Sequence, residues 1–208
     1  MRPLSCARRA LPLAAALLVA PLTLGAQAAA TPAAPALTAA QHAASAVLPL
    51  PRELRDGATV LQLEANGRTS VLKQGTGAMV CLTDSPTTPR FHVACYHRAL
   101  EPFMARGRAL RMTGVTSPER IDSTRYAEVR AGTLKMPDHP ASLYSLTGPA
   151  DAYDPAANEL RGANALHVVY IPFATAESTG LSTTPARGSA WLMNAGTPKA
   201  HMMFTPTM

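Results

Sequence analysis

Apolar and polar positions alternate along two short runs, residues 59–64 (Thr-Val-Leu-Gln-Leu-Glu) and 68–73 (Arg-Thr-Ser-Val-Leu-Lys), on either side of Ala65-Asn66-Gly67. A period of two marks a half-buried strand, and Asn-Gly tolerates the positive φ that a tight hairpin turn needs, so a β-hairpin is predicted. After Gly75-Thr76-Gly77 the run 78–82 (Ala-Met-Val-Cys-Leu) reads as a third strand with Cys81 near its end. Residues 83–90, punctuated by Pro86 and Pro89, read as a loop.

The period lengthens further on. Leu100, Met104 and Leu110 supply an apolar face for a helix over 95–111, with a kink or break imposed near Leu100 by Pro102. Ser117-Pro118-Glu119 is a stronger start signal. Serine caps the free N–H groups, proline is tolerated in the first helical turn, and glutamate favours the positive end of the helix dipole. That helix is expected to run to Val129. Extended segments then return at 141–146, 166–171, 190–193 and 201–204, the last two joined by the turn Gly196-Thr197-Pro198. Strands before and after a helical middle, without βαβ alternation, predict an α+β class: antiparallel β-hairpins flanking a helical middle in a single compact domain over 48–208.

The N-terminal segment has a different pattern. Arg2, Arg8 and Arg9 precede an apolar run at 11–24, and Ala26-Gln27-Ala28 follows as a small-x-small cleavage site. The run is too short, and too broken by Pro12 and Pro21, for a spanning helix, which needs about 20 apolar residues. Residues 1–28 are therefore expected to be a signal peptide, with export to the periplasm or the medium and no integral membrane segment after processing. Cys6 precedes the apolar run instead of following it, which argues against lipidation. Residues 29–47, rich in Ala and Pro, are expected to be a linker leading to Pro49-Leu50-Pro51.

Removing residues 1–28 takes away three of the 19 basic residues and none of the 13 acidic ones, so the formal charge falls from +6 to +3. A surplus this small gives no footprint for nucleic acid. Of the three cysteines, Cys81 and Cys95 remain. In an oxidising compartment they are expected to form a disulfide that contributes about 3 kcal/mol by restricting the unfolded chain. The alternatives, a metal pair or buried free thiols, have no CxxC spacing behind them.

Signals for common catalytic machinery are missing: the sequence has no P-loop, no GxSxG elbow and no HExxH. The ligand types of a soft metal site gather at Cys81, His92, Cys95 and His97, but a disulfide would consume two of them. His201 beside Met202 and Met203 has the residue types of a copper site, although methionine more often fills core gaps. Asp151, Asp154, Asn158 and Glu159 form an acidic loop whose hard oxygens suit Ca²⁺ without meeting the EF-hand pattern. Arg106, Arg108 and Arg111 place three cations within six residues, either for an anionic ligand or as a solvated helix end. Metal and cofactor remain unassigned at this point, as does oligomeric state.

Several stretches together resemble an uncharacterised family of exported bacterial proteins with no assigned activity: Gly75-Thr76-Gly77 before Cys81, Gly148 and Asp154-Pro155, His167-Val168-Val169, and Trp191-Leu192-Met193 leading to His201-Met202-Met203. The resemblance implies a single domain and directs attention to the acidic loop and the Trp-to-His hairpin; it supplies no catalytic residue. The leading expectation is an exported protein, without evident catalysis, that binds a small molecule or serves the cell envelope. Its groove is expected to involve His167, Trp191, His201, Asp151 and Asp154. The alternative is an exported hydrolase or metal-dependent enzyme using His167 or His201 with Asp151 or Glu177, and a pure interaction protein is the third class.

Overall fold

The computed structural model describes residues 36–186 and 188–206. All of them belong to one compact unit beginning at Ala36; the predicted signal peptide lies outside the described residues. Helix α1 (Ala39–Ala46) and a single turn α2 (Arg52–Arg55) come first, followed by strands β1 (Thr59–Leu63), β2 (Thr69–Lys73), β3 (Met79–Leu82) and β4 (Phe91–His97). A 3-10 turn (Arg98–Leu100) leads into helices α3 (Glu101–Met112) and α4 (Pro118–Arg130). Then come β5 (Ala141–Gly148), a small hairpin of β6 (Tyr153–Asp154) and β7 (Glu159–Leu160), β8 (Asn164–Tyr170), the short α5 (Ala176–Thr179), β9 (Trp191–Met193) and β10 (His201–Phe204). Eight strands form one sheet in the order β2-β1-β3-β4-β5-β8-β10-β9. The fold is α+β.

Only β1 and β3 run parallel. Their arrangement makes the connection after β2 cross the start of β1, and this crossing explains Gly75-Thr76-Gly77. A Cβ on Gly75 would lie 2.2 Å from the Gly57 carbonyl oxygen, so no other residue fits. Thr59 Oγ1 locks the crossing by accepting from the Gly75 amide at 3.1 Å.

Strand register sorts side chains between two faces. One row runs Val60, Cys81, Cys95, Tyr144, His167, Phe204 from β1 to β10. The opposite face carries the row Val80, Tyr96, Leu143, Val168, Met203, Trp191. On the first face Ala46 and Leu50 pack with Val60, Met79 and the two cysteines, and Leu48 joins Phe91, Val93 and Tyr153. On the second, Leu100 and Met104 pack with Val80, Tyr96 and Val168. Helices α3 and α4 are joined by Arg125, which donates to the Phe103 carbonyl at 3.1 Å and lies 3.8 Å over the Phe103 ring.

Two expectations are corrected. The Ala-rich stretch is not linker as far as residue 47: Thr38 caps α1 in a box with Gln41, alanine is the best helix former, and its small side chain lets α1 sit close on the disulfide. Cys95 does not open a helix. It lies in β4, which the apolar periodicity conceals because buried Phe91, Val93, Cys95 and Tyr96 serve both faces, and helix begins only after the turn that Pro102 requires.

Cys81 and Cys95 are registered partners with Cα atoms 4.0 Å apart and form the expected disulfide. Both are fully buried, and their separation of 14 residues closes a moderate loop. Reduction is therefore expected to lower unfolding free energy by about 2–4 kcal/mol. Urea unfolding with and without reductant measures this; superimposable curves would show that the crosslink contributes nothing.

Candidate functional site

A cleft of about 730 Å³ lies on the first face of the sheet, between the entry segment at residues 48–55 and the β6–β7 hairpin. The chain turns at residues 47–50 along its near wall, with the Leu50 amide donating to the Val47 carbonyl at 3.0 Å, and Arg55 fastens this segment by donating from Nε to the Leu50 carbonyl at 2.8 Å and from Nη2 to the Leu48 carbonyl at 3.0 Å. Tyr144 and Leu146 of β5, with Ala165 and His167 of β8, make the floor. Residues 157–160 close the far side.

The far wall is a tied loop. Asp154 Oδ1 accepts from the amides of Ala156 and Ala157 at 3.0 and 3.2 Å, while Oδ2 accepts from Arg161 at 2.6 Å. These amides hold its carboxyl below the ordinary value. Asn158 adopts a left-handed φ of 54° and accepts from the Tyr153 hydroxyl at 3.0 Å. Both Asp154 oxygens are thus used within the loop, whereas Asp151 is exposed and outside the cleft lining. The acidic loop shapes a wall instead of presenting a cation cage.

On the floor, the Tyr144 and His167 rings meet edge to face with centroids 5.1 Å apart, and Phe204 lies 6.5 Å beyond His167. Partial burial lowers the His167 pKa from 6.5, so the ring is neutral at pH 7. Neither the Tyr144 hydroxyl nor the His167 ring makes a side-chain hydrogen bond among the described residues. Arg52 stands exposed at the rim and has no ion-pair partner among those residues. The cleft accordingly combines leucine walls with Tyr144, His167 and Arg52, which are still free to bond, and with the exposed carboxylate of Glu159 on the far side, which has no ion-pair partner among the described residues.

His201 and Trp191 lie on the opposite face. His201 Nδ1 is 2.6 Å from the Lys199 carbonyl, which fixes the proton on Nδ1 as the donor, and the ring stacks on Tyr170 at 5.2 Å. Burial lowers the His201 pKa and raises that of Tyr170 to about 12. Beside them Asp122 accepts from Lys199 at 2.8 Å and from Arg125. His201 borders a smaller hollow of about 300 Å³, with Met193 and Met203, while Met202 points to the other side of β10. Trp191 is 9% exposed and packs in the sheet edge.

The proposed partnerships do not assemble. Neither histidine is bonded to Asp151 or Glu177, and Glu177 is exposed on α5. Cys81 and Cys95 are consumed by their disulfide, and His92 and His97 project from opposite faces of β4. His97 instead accepts from the Ala99 amide and abuts His139. No group of three or more His, Cys, Asp or Glu among the described residues is placed to hold a metal ion. Tyr144 and Arg52 carried no sequence signal; only register puts Tyr144 beside His167. No protein-family model, curated protein or solved structure matches the chain.

Since the His167 and His201 pKa values are lowered on folding, the unfolded chain binds more protons below 6.5, and stability must fall as pH drops through that value toward the folded pKa. Urea midpoints at pH 7, 6 and 5 should decline, and the double substitution His167→Asn and His201→Asn should flatten the decline. An unchanged slope in the variant would assign the acid sensitivity to other groups.

Proposed function

We propose that the protein is exported and binds a small amphiphilic molecule in the cleft between residues 48–55 and the β6–β7 hairpin. Export is supported by the basic, apolar and small-residue order of residues 1–28 and by the Cys81–Cys95 disulfide. No helix among the described residues is long and apolar enough to cross a membrane. The resemblance to exported bacterial proteins points the same way.

The observation that carries the binding reading is the lining of the cleft. Ligand pockets usually measure about 300–1,000 Å³, with apolar walls and a few converging polar groups. Leu48, Leu50, Leu146 and Leu160 supply the walls, Tyr144, His167 and Arg52 supply polar groups on the floor and near rim, and Glu159 places a carboxylate on the far side. Neutral His167 and the Tyr144 hydroxyl suit a hydrogen-bonding head group, and Arg52 favours a negative charge at the rim. An apolar chain ending in a carboxylate meets these conditions with its head group at the Arg52 side, since Glu159 repels it from the far wall. The hydrolase reading is less well served, because neither histidine has an acid to orient it.

Dodecanoate is the probe. It is expected to raise the melting temperature of the purified mature domain more than dodecylamine does, and to shift the ring resonances of His167 and Tyr144. Ala165→Trp should fill the floor and abolish both effects, and His167→Ala should weaken binding about five- to tenfold, the loss of one hydrogen bond. Should dodecanoate leave the melting temperature and both rings of the unaltered protein unmoved, the reading fails without reference to any variant.

A further inference from the structure

The three arginines clustered at 106–111 receive very different partners. Arg106 forms a fork with Glu128, at 2.6 to 3.0 Å, on the outside of the α3–α4 pair. Arg108 donates to Glu101 at 2.5 Å and to the Tyr96 hydroxyl at 3.0 Å. Arg111 makes no hydrogen bond or ion pair among the described residues. It lines a cleft of about 620 Å³ on the face of the sheet opposite the first, between the C-terminal turn of α3, the β1–β2 turn and the loop at 85–88.

Arg111 is exposed at the cleft, and a second guanidinium stands beside it. Arg111 Nη1 lies 3.6 Å, and Arg125 Nη1 3.0 Å, from the point where a Cβ on Gly107 would sit, so two guanidinium groups converge over one glycine. Asp122 offsets Arg125, whose Nε nevertheless has no partner. Partial burial and the nearby Arg125 and Arg108 charges lower the Arg111 pKa, and the Asp122 carboxylate partly opposes them. An unpaired cation held near like charges is stabilised most by an anion that enters from solvent.

The remaining lining suits such a guest. Ser85, Thr87 and Thr88 line the wall of the loop, where Ser85 and Thr87 share one hydroxyl hydrogen bond at 3.0 Å and Thr88 Oγ1 donates to the Ser85 and Arg90 carbonyls at 3.1 and 3.0 Å, so that one hydroxyl proton, on Ser85 or Thr87, is left for a guest. Leu63 and Leu82 form an apolar floor beside His92. Glu64 is the single carboxylate of the lining, and it makes no ion pair with Arg111. We propose that this cleft is a second binding site, specific for a small oxyanion, carboxylate or phosphate, held by the Arg111 guanidinium and by the one loop hydroxyl, of Ser85 or Thr87, that is left to donate. It is independent of the dodecanoate cleft, which lies across the sheet.

The ¹⁵N-labelled mature domain is titrated with inorganic phosphate and, separately, with 3-phenylpropionate, at constant ionic strength set by NaCl. Saturable shifts are expected at the amides of Gly67, Thr87, Thr88 and His92 and at the Arg111 side chain, with a Kd on the order of 1 mM. The tighter of the two ligands tells whether phosphate or a carboxylate on an apolar body is preferred. Arg111→Gln should weaken binding at least about fivefold, Arg111→Lys should restore part of it by returning the charge without the fork, and Arg106→Gln should change nothing. Absence of saturable shifts with both anions, or equal affinity in the Arg111→Gln protein, would overturn the assignment.

Discussion

Alternate residues of a strand face opposite sides of the sheet, and every apolar side chain so displayed needs cover from elsewhere in the chain. Eight strands abreast demand much cover, and this chain has little to give. Helix α1 and residues 48–51 serve one face, while α3 and α4 serve the other. Where each cover stops, side chains of the sheet are left half-open. Tyr144 and His167 are such residues on the first face, and Leu82 and His92 on the second. Both clefts arise from the same shortage, and strand parity decides which chemistry each receives.

The first cleft depends on the disulfide through α1. Cys81 and Cys95 lie side by side in a row that α1 covers with Ala43 and Ala46, and only small side chains allow a helix to approach a sheet so closely there. Docking of α1 fixes where the chain leaves it, and hence where Leu48 and Leu50 stand. Pro49 and Pro51 lack the N–H groups that would continue α1, so the chain turns at residues 47–50, and Arg55 satisfies the Leu48 and Leu50 carbonyls instead. The near wall is therefore held by covalent, apolar and polar restraints acting in sequence, and it is preformed. A preformed wall spares a ligand the entropy of ordering it.

Much of the secondary structure was legible in the sequence because its signals were local. Asn66-Gly67 fixes the β1–β2 hairpin and Ser117-Pro118 the start of α4, in each case through backbone preferences of the residues themselves. What could not be read was set by distant partners. The β4 run Phe-His-Val-Ala-Cys-Tyr-His is apolar on both sides because β4 is central, so it loses the alternation that betrays an edge or half-covered strand. The Ala-rich lead-in is helical only because the sheet offers it a surface. The cleft beside Arg111 was foreshadowed only by three arginines in six residues, since their partners among the described residues, Glu128 for one, Glu101 for another and none for the third, depend on how α3 meets α4 and the sheet.

The two histidines show the same limit more sharply, and they bear on mechanism. His167 and His201 occupy adjacent antiparallel strands, and each lies in an apolar run, which makes a shared site plausible from sequence. Register decides otherwise: His167 is opposite Phe204, three residues from His201, and an odd offset places the two rings on different faces. A slip of one residue would have put them on one face, but it would also have turned either Met203 or Val168 away from the α3 side, where both are packed. Burial of those two apolar residues thus sets the register, and the register separates the imidazoles. Each ring is left in a neutral state without an acid, which equips it to hold a hydrogen-bonding guest more than to activate a nucleophile.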